Sequence, residues 1–394
     1  MNQTVYTNFN LYDGEKNDVQ ADSYMLVDDV TGKITKIGIG KAPTADRTID
    51  LANKYVMPGM INVHTHVDND STTFDGDPEA NVVVATVRAV QNLHEFLRSG
   101  VTYIRQCGCS YDLDIPLSQM IATGKITKVP EMMPSGMVYS MTGGHGDAPN
   151  SGNLVDSPDE MRKAVRQGMK KGAKAIKVMA TGGVMTKNDF MDDPQLSIAE
   201  MHVAVEEAHH KNLIVAAHAE GNAGIYNAVK AGVDSIEHGF YVDDEEIDMM
   251  LEQGTYLTPT VVADWSLAKY GKGVLPDWEV KKAADAVDDL RKNITHAKER
   301  GVKITLGTDA GTPFNDFTKT AVELQLLVEQ GFTNYEALRT SVNSAKLMKI
   351  DDEYGTLEEG KYADFLVLDE NPLVDIKAVN EQDKAVYKKG QRAY

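Results

Sequence analysis

The sequence has little cysteine and no long apolar run. Only two of its 394 residues are cysteines, Cys107 and Cys109, separated by one residue. A pair this close cannot cross-link so long a chain, so we interpret both as free thiols and expect a reducing, cytoplasmic setting. No stretch approaches the roughly 18 consecutive apolar residues of a membrane-spanning helix. The first residues, MNQTVYTNFNLYDGEK, lack the basic start and apolar run that a secretory signal requires.

Basic residues are few relative to acidic ones. There are 40 lysines and arginines against 59 aspartates and glutamates, which gives a formal net charge of −19 at pH 7. Such a surface repels phosphate backbones and anionic lipid headgroups, so nucleic acid and membranes are poor partners. The composition is otherwise that of an ordinary globular protein rather than a disordered or fibrous one.

Both ends of the chain are rich in predicted strands. Five short segments alternate apolar and polar residues as strands do, at 24–28, 33–39, 46–51, 363–368 and 384–388. The middle of the chain lacks this pattern. We therefore expect residues 1–57 and 351–394 to pair as a small β-sandwich beside a central domain of residues 58–350.

The central region repeats a strand followed by an amphipathic helix. Eight apolar segments predict strands, at 59–64, 101–106, 133–140, 173–180, 213–218, 233–237, 256–261 and 302–308. Helical patterns occur between them, at 78–98, 157–171, 198–211, 243–253 and 280–300. Residues suited to helix starts and ends mark several boundaries, at Ser157, Ser197, Gly100, Gly172, Gly232, Gly254 and Gly301. This alternation predicts an α/β protein with a closed (β/α)8 TIM barrel rather than an open doubly wound sheet.

The sharpest local signal is His64-Thr65-His66, at the end of the first predicted barrel strand. Residues two apart on a strand project from the same face. At the carboxyl end of a barrel strand that face looks into the mouth of the barrel, where two imidazoles can bind one metal ion. A His-x-His pair alone is weak evidence, so its meaning depends on what the other strands carry.

Three other predicted strands also end on potential metal ligands. His218 ends the fifth strand, His238 follows the sixth and Asp309 follows the eighth. A single histidine in such a place is more often a hydrogen-bonded core residue than a ligand. Because four histidines and a carboxylate all occupy strand ends of one barrel, we interpret them as a metal centre.

Lys177 lies inside the fourth predicted strand, with apolar neighbours on both sides. A buried, unpaired ammonium is costly, so this lysine must be deprotonated, paired or modified. Its neutral amine could react with carbon dioxide to give a carbamate whose two oxygens bridge two cations. The alternative is an ion pair with a nearby carboxylate, and the residues by themselves favour that alternative.

The chain resembles the amidohydrolase superfamily of binuclear metal enzymes in its ordered ligand set, His64, His66, Lys177, His218, His238 and Asp309. The resemblance spans nearly the whole chain, and the segment GKYADF at 360–365 is similar to the C-terminal strand motif of that superfamily. Two more segments, ATGGVM at 180–185 and TGGHGD at 142–147, are similar to the branch that contains Xaa-Pro dipeptidases (prolidases) and is often labelled imidazolonepropionase-like.

This resemblance implies a metal-dependent amidohydrolase that holds two divalent metal ions. One ion would bind His64, His66 and Asp309, the other His218 and His238, and a carboxylated Lys177 would bridge both. Mixed imidazole and carboxylate ligation favours Zn²⁺. Relatives are commonly homo-oligomers, so we expect the same of this chain.

The resemblance also implies a mechanism. A hydroxide between the ions would attack the scissile amide, and Asp309 would act first as general base and then as general acid. His145, in the loop after the third strand, is a candidate donor to the oxyanion. The alternative for His145 is a loop histidine held by Asp147.

The expected substrate is a dipeptide or an N-acyl amino acid with a free carboxylate. Tyr241 lies three residues after His238, on the loop where relatives of this branch contact substrate. Glu220 lies two residues after His218, where many relatives carry an aromatic residue or histidine. We expect this acidic replacement to favour a basic or polar group on the substrate.

Three other functions are compatible with such a barrel. Ring opening or deamination, as in imidazolonepropionase, typically uses one metal and a glutamate three residues after the strand-five histidine. That position is Gly221 here, and the bridging lysine is present. Esterase or lactonase activity would use the same site, because a fold does not fix the substrate. A non-catalytic barrel would have lost a ligand, and all six are intact.

Overall fold

A computed structural model of the protein describes residues 2–72, 81–184 and 189–394. Its strands are β1 Gln3–Leu11, β2 Gln20–Asp28, β3 Ile34–Ile39, β4 Arg47–Pro58, β5 Met60–Thr65, β6 Val101–Gln106, β7 Glu131–Met133, β8 Val138–Ser140, β9 Gly152–Leu154, β10 Ala175–Met179, β11 Ile214–Ala219, β12 Ser235–His238, β13 Tyr256–Thr258, β14 Phe365–Leu368, β15 Ala385–Lys388 and β16 Gln391–Arg392. Its α-helices are α1 Val82–Arg98, α2 Asp114–Ala122, α3 Pro158–Lys171, α4 Ile198–His209, α5 Asn222–Ala231, α6 Asp244–Gln253, α7 Val261–Tyr270, α8 Asp277–Arg300, α9 Thr320–Glu329 and α10 Asn334–Leu347. The predicted start of the first helix, at 78–80, and Met185 of the segment ATGGVM lie outside the described residues.

The two ends of the chain form one seven-stranded sheet, in the order β16-β15-β14-β4-β1-β2-β3. β4 joins the two ends, because it pairs in parallel with β1 and antiparallel with β14. The sheet curls around an apolar core in which the Phe365 ring stacks on Tyr387, with centroids 4.4 Å apart, and meets Tyr6 edge-on. At the far edge Ile34 donates its backbone N–H to the Lys361 carbonyl at 2.8 Å. The predicted β-sandwich is therefore a single sheet curled onto itself.

The first strand of this sheet, β1, is not signalled by the sequence. Its pairing with β2 shifts register between Tyr6 and Phe9. Between them Asn8 has a positive φ of 58°. Such an irregularity disturbs the apolar–polar alternation from which strands are predicted.

The third barrel strand, predicted at 133–140, is interrupted. Its first part, β7, pairs with β6, and its second part, β8, pairs with β10. Between the two parts Gly136 has a φ of 70°, and the Asp114 carboxyl accepts the backbone N–H groups of Ser135 and Gly136 at 2.8 and 3.0 Å. A side chain satisfies these N–H groups instead of a neighbouring strand. The barrel strands consequently divide into a sheet β5-β6-β7 and a sheet β13-β12-β11-β10-β8-β9.

Residues 302–308, predicted as the eighth strand, connect the two sheets without forming a regular ladder. This segment exchanges two backbone hydrogen bonds with Leu257 of β13, and its Leu306 carbonyl accepts the N–H of Val63 in β5 at 2.8 Å. The Leu306 N–H instead donates to two acceptors of α10, the Ser344 hydroxyl at 3.0 Å and the Thr340 carbonyl at 3.2 Å. Acceptors on a helix thus replace one of the partners that a neighbouring strand would supply.

Helix boundaries follow the signals in the sequence. The hydroxyls of Ser157 and Ser197 cap α3 and α4, each accepting the backbone N–H of the residue three positions on. Glycines with positive φ end α3, α5, α6 and α8, at Gly172, Gly232, Gly254 and Gly301. These predictions are confirmed. Within the described ranges, no helix is both long enough and apolar enough to cross a membrane.

The central strands deliver polar side chains to one end of the barrel. Every residue of β10, β11 and β12 is buried, as expected for parallel strands covered by helices. The register pairs Met179 with His218 and Ala219 with His238. Because all these strands run in the same direction, their carboxyl ends meet around one cavity.

Two serine-to-alanine substitutions test how the eighth segment is held. Ser344→Ala removes the nearer of the two acceptors of the buried Leu306 N–H, so we expect the free energy of unfolding to fall by about 0.5–1.5 kcal/mol. Ser266→Ala is the matched control, because Ser266 is fully buried in α7 and its hydroxyl has no hydrogen-bond partner among the described residues. Thermal and urea denaturation of both variants should show a loss for the first only. Equal losses would mean that the hydroxyl of Ser344 has no particular role.

Candidate metal centre and active site

The carboxyl ends of the barrel strands enclose a cavity of about 180 Å³. Its lining consists of His64, His66, Asn69, His145, Lys177, Met179, Val184, His218, Glu220, His238, Ala263, Asp264, Leu267, Asp309 and Thr312. All of the site residues predicted from the sequence are in this set except Tyr241. The structure therefore brings side chains from distant parts of the chain to one small volume.

Asp309 lies between the two histidines of the His-x-His pair. Its Oδ1 is 3.3 Å from Nε2 of His64 and 3.1 Å from Nε2 of His66. His64 is buried at the end of β5, whereas His66 and Asp309 are partly open to the cavity. Two imidazole nitrogens and a carboxylate oxygen thus point at one another from the first and eighth segments of the barrel.

His64 is oriented by a buried ion pair that the sequence reasoning missed. Its Nδ1 lies 2.8 Å from the Glu237 carboxylate, and the Arg105 guanidinium donates to the other oxygen of Glu237 at 2.6 Å. Arg105 also donates to the Val63 carbonyl at 2.6 Å, and all these groups are fully buried. Although burial opposes its charge, the guanidinium lowers the pKa of Glu237. A charged residue inside an apolar strand, the pattern that singled out Lys177, is also present at Arg105 and Glu237.

Two further imidazoles are oriented in the same way. Nδ1 of His66 donates to the Gly108 carbonyl at 2.9 Å, and Nδ1 of His238 lies 2.7 Å from the Thr260 hydroxyl. In a neutral imidazole the nitrogen that does not carry the proton is the one able to bind a metal. With Nδ1 engaged, Nε2 of each ring is the free nitrogen at the cavity.

His218 is held by its other nitrogen. Its Nε2 lies 3.0 Å from the Gly182 carbonyl, which leaves Nδ1 as the free nitrogen of that ring. The His218 ring stacks on His145 with centroids 4.3 Å apart and meets His238 edge-on at 4.7 Å. The imidazoles of the fifth and sixth strands therefore lie side by side in the cavity wall.

Lys177 has a buried side chain that projects from β10 into the same cavity. Its Nζ lies 3.4 Å from Nε2 of His64. Within residues 2–72, 81–184 and 189–394, no carboxylate forms an ion pair with this amine. The pairing that the residues alone favoured therefore has no partner among the described side chains, and the amine is close to a potential metal-binding nitrogen.

Burial keeps three of the four strand-end imidazoles neutral. Desolvation lowers the pKa of His64, His218 and His238 well below the ordinary value. Burial acts the same way on His66, but the hydrogen bond to Asp309 outweighs it and raises the pKa of His66. Burial also opposes ionisation of Asp309, but the imidazoles of His64 and His66 hold its pKa well below the usual range. Neutral imidazoles and an ionised carboxylate are the forms that bind metals.

Three residues at the site have a left-handed backbone. The φ angle is +71° at His238, +49° at Thr260 and +56° at Asp309. Such a conformation costs a non-glycine residue on the order of 1–3 kcal/mol. At Asp309 it is held by hydrogen bonds, because its N–H donates to the His64 carbonyl at 2.9 Å and the Asn315 amide donates to its carbonyl at 3.0 Å. Strain of this kind concentrates at functional sites.

His145 lies at the rim of the cavity and is held by a closed set of hydrogen bonds. Its Nδ1 is 2.7 Å from Asp189, and its backbone N–H donates to the Gln195 side chain at 2.7 Å. Gln195 in turn donates to the other oxygen of Asp189 at 2.7 Å. The alternative partner considered from the sequence, Asp147, instead accepts the backbone N–H of Gly143. Asp189 is too far away in sequence for local spacing to have identified it.

Two residues predicted to contact substrate lie in different places, because Glu220 lines the cavity and Tyr241 does not. Glu220 is buried in the cavity wall, and burial raises its pKa well above the ordinary value. Tyr241 is absent from the cavity lining, and its backbone N–H donates to the Glu220 carbonyl at 3.0 Å. A second buried acid, Asp264 of α7, lines the cavity and was not singled out from the sequence; burial raises its pKa to about 8.

Comparison with known proteins identifies the family of the chain. Residues 55–393 match the amidohydrolase family. The ochratoxinase of Aspergillus niger is 35% identical over 363 residues, covering 84% of this chain and 73% of that protein. A crystal structure of a Xaa-Pro dipeptidase with bound methionine in the active site superposes with a TM-score of 0.90 at 32% identity, covering 99% of both chains. A prolidase complexed with N-methylphosphonate-L-proline gives a TM-score of 0.91 at 30% identity, again covering 99% of both chains.

The match extends over both the barrel strands and the terminal sheet. The superfamily and the TIM-barrel fold predicted from the sequence are therefore confirmed, and relatives that hydrolyse amides cover nearly the whole chain. The chain belongs to the amidohydrolase family and is a hydrolase that acts on carbon–nitrogen bonds.

Proposed function

We propose that this hydrolase cleaves the amide bond of a dipeptide or an N-acyl amino acid and that it requires two divalent metal ions. The observation that carries the proposal is the position of Asp309, whose Oδ1 lies 3.1 and 3.3 Å from two imidazole nitrogens in a cavity of about 180 Å³. Imidazoles and a carboxylate gathered in so small a volume form a donor set that suits Zn²⁺.

The donors separate into two sets. His64, His66 and Asp309 would hold one ion, and His218 and His238 the other. Carboxylated Lys177 would lie between them, which fits a buried amine that has a ligand nitrogen nearby and no carboxylate partner among the described residues. When bound, the two ions lower the pKa of a water molecule and polarise the substrate carbonyl.

Asp309 is the proton carrier in this proposal. Its carboxylate is ionised at neutral pH, because the neighbouring imidazoles hold its pKa well below the usual range despite burial. It can therefore accept a proton from the attacking water and return it to the leaving amine nitrogen. Its backbone, fixed by hydrogen bonds on both sides, keeps the carboxylate aimed at the centre of the cavity.

His145 is the proposed donor to the oxygen of the tetrahedral intermediate. Its Nδ1 is engaged with Asp189, so Nε2 is the nitrogen available to the substrate. Stacking on His218 places this ring next to the second donor set. The hydrogen bonds to Asp189 and Gln195 hold the donor in place before the reaction, which is what stabilises developing charge.

Ring opening or deamination is less well supported than amide cleavage. The glutamate typical of those relatives would fall on Gly221, where a Cβ atom would lie 2.4 Å from the Met191 carbonyl oxygen. A side chain therefore cannot be accommodated at this position without moving the backbone. The preceding residue, Glu220, lines the cavity.

The similarity to dipeptidases and the size of the cavity support this substrate class. A cavity of about 180 Å³ suits a small-molecule substrate rather than an extended polypeptide. The structures with bound methionine and with N-methylphosphonate-L-proline belong to relatives that cover the full length of this chain. Residues 58–350 as the catalytic domain, a homo-oligomeric assembly and a cytoplasmic location are further parts of the proposal.

Metal removal tests the reaction directly. Chelation is expected to abolish hydrolysis across a panel of dipeptides and N-acyl amino acids, and added Zn²⁺ should restore it. Asp309→Asn should lower kcat by about 10²–10⁴ because the proton carrier is lost, whereas Asp383→Asn, an exposed control, should match the parent enzyme. Turnover that survives chelation, or an inactive protein that is fully loaded with metal, would refute the proposal.

Carboxylation of Lys177 has its own signature. Protein reconstituted with Zn²⁺ and ¹³C-bicarbonate should show a carbamate carbon signal by NMR. Lys177→Ala should lack that signal and bind less metal, because the bridging anion is missing. Lys174→Ala removes an exposed lysine from the same segment and should change neither result. An unaltered signal in Lys177→Ala would place the carbamate elsewhere.

Thr260 tests the orientation of His238. Thr260→Val removes the partner of Nδ1 while keeping the branched shape, so metal affinity is expected to fall about 10–100-fold. Thr260→Ser keeps the hydroxyl and should retain the parent affinity. Competition with a chromophoric chelator measures both, and equal affinities in the two variants would show that the hydroxyl does not orient the imidazole.

A further inference from the structure

Acidic side chains dominate the charged part of the cavity lining. Glu220, Asp264 and Asp309 line it, and Lys177 is its one lysine or arginine among the described residues. Asp309 is engaged with two imidazoles, and the proposed carboxylation would turn Lys177 into an anion. With Lys177 carboxylated, Glu220 and Asp264 face the cavity with no cationic lysine or arginine in the described part of its wall.

Glu220 is the less satisfied of the two acids. It is only 4% exposed, and its Oε2 has no hydrogen-bond partner among the described residues. Its Oε1 lies 3.7 Å from Nε2 of His218, beyond hydrogen-bond distance, while that nitrogen is already 3.0 Å from the Gly182 carbonyl. A buried carboxyl oxygen without a partner is costly, so a group that enters the cavity is the natural partner.

Asp264 lies on the helix α7, whose start is fixed by hydrogen bonds. It lies in the first turn of α7, and it too is 4% exposed. Glu323 of α9 accepts the backbone N–H groups of Val261 and Val262 at 3.0 and 2.7 Å, which fixes the start of the helix. No lysine or arginine in the described part of the chain forms an ion pair with Asp264. Its carboxyl group is therefore presented to the cavity at a fixed place.

A lysine on the helix that packs against α7 is already engaged by backbone carbonyls. Lys282 of α8 donates to the backbone carbonyls of Gly183 and Asp189 at 3.3 and 2.8 Å, and it is not part of the cavity lining. Apolar side chains also line the cavity, at Met179, Val184 and Leu267. A cavity that combines apolar side chains with two acids suits a methylene chain that ends in a cation.

We propose that Glu220 and Asp264 form a subsite for the basic side chain of the substrate, an ammonium or guanidinium carried on an aliphatic stem. The inference rests on the proposed function, because it names the substrate class of the same site. A guanidinium or ammonium would give Glu220 Oε2 the donor that it lacks, and its charge would favour the ionised form of both buried acids. The preferred substrates are thus amides of lysine or arginine.

A matched set of substrates tests this subsite. Alanyl-arginine is compared with alanyl-citrulline, and alanyl-lysine with alanyl-norleucine, together with the reversed sequences. In the metal-loaded enzyme we expect kcat/KM for the charged member of a pair to exceed that of its neutral partner by about 10–100-fold. The ratio should fall towards one in Glu220→Gln and in Asp264→Asn. Glu252→Gln, which removes an exposed acid from α6, should keep the parent ratio.

Binding is measured separately from turnover, using n-butylammonium and methylguanidinium in calorimetry on the metal-loaded protein. If these cations bind the parent protein and Glu220→Gln abolishes the binding, the subsite is supported. This holds even if no amide in the panel is cleaved, and then only the proposed function fails. Cleavage of charged and neutral partners at equal rates overturns the subsite and leaves the proposed function standing. Loss of bound metal in Glu220→Gln also overturns it, since Glu220 would then act with His218 and His238 as a ligand. A preference for a free amino terminus, with none for a basic side chain, overturns it as well.

Discussion

Each imidazole of the site is held by a hydrogen bond from one ring nitrogen, and this constraint decides which nitrogen faces the cavity. Nδ1 is hydrogen-bonded in three rings: to Glu237 in His64, to the Gly108 carbonyl in His66 and to the Thr260 hydroxyl in His238. In His218 it is Nε2 that is hydrogen-bonded, to the Gly182 carbonyl. The partners belong to different strands and loops, so the barrel must be closed and in register before the free nitrogens can converge. Fold and site therefore depend on the same set of contacts.

Charged and ionisable groups lie both below the cavity and in its wall. Below the cavity, Arg105 neutralises Glu237, so that the carboxylate can hold His64 without leaving an unpaired buried charge. Inside the cavity, burial keeps three of the four strand-end imidazoles neutral, and no described arginine lines the wall. The proposed cations would add positive charge to a volume in which Lys177 is the one lysine among the described residues. The left-handed backbones of His238, Thr260 and Asp309 add strain at the same place.

The sequence predicted which side chains line the cavity well and their surroundings poorly, for a physical reason. His64, His218 and Asp309 are visible because strand periodicity and strand ends are local properties. Asp189, which holds His145, and the Ser344 hydroxyl, which interrupts the eighth strand, act across long sequence separations. Such contacts depend on how distant segments pack, so the spacing of residues along the chain cannot predict them. The same limit applies to the split third strand, whose N–H groups are taken by a distant carboxyl group.

Anomalous scattering at the zinc absorption edge, from crystals of the active enzyme, tests the central claim most directly. Two peaks are predicted in the cavity, one about 2.0–2.3 Å from ligand atoms of His64, His66 and Asp309 and the other at the same distance from His218 and His238. Electron density should continue from the Lys177 amine to a position between them. An active enzyme whose cavity shows no peak, or one peak beside an unmodified lysine, would contradict a dinuclear centre.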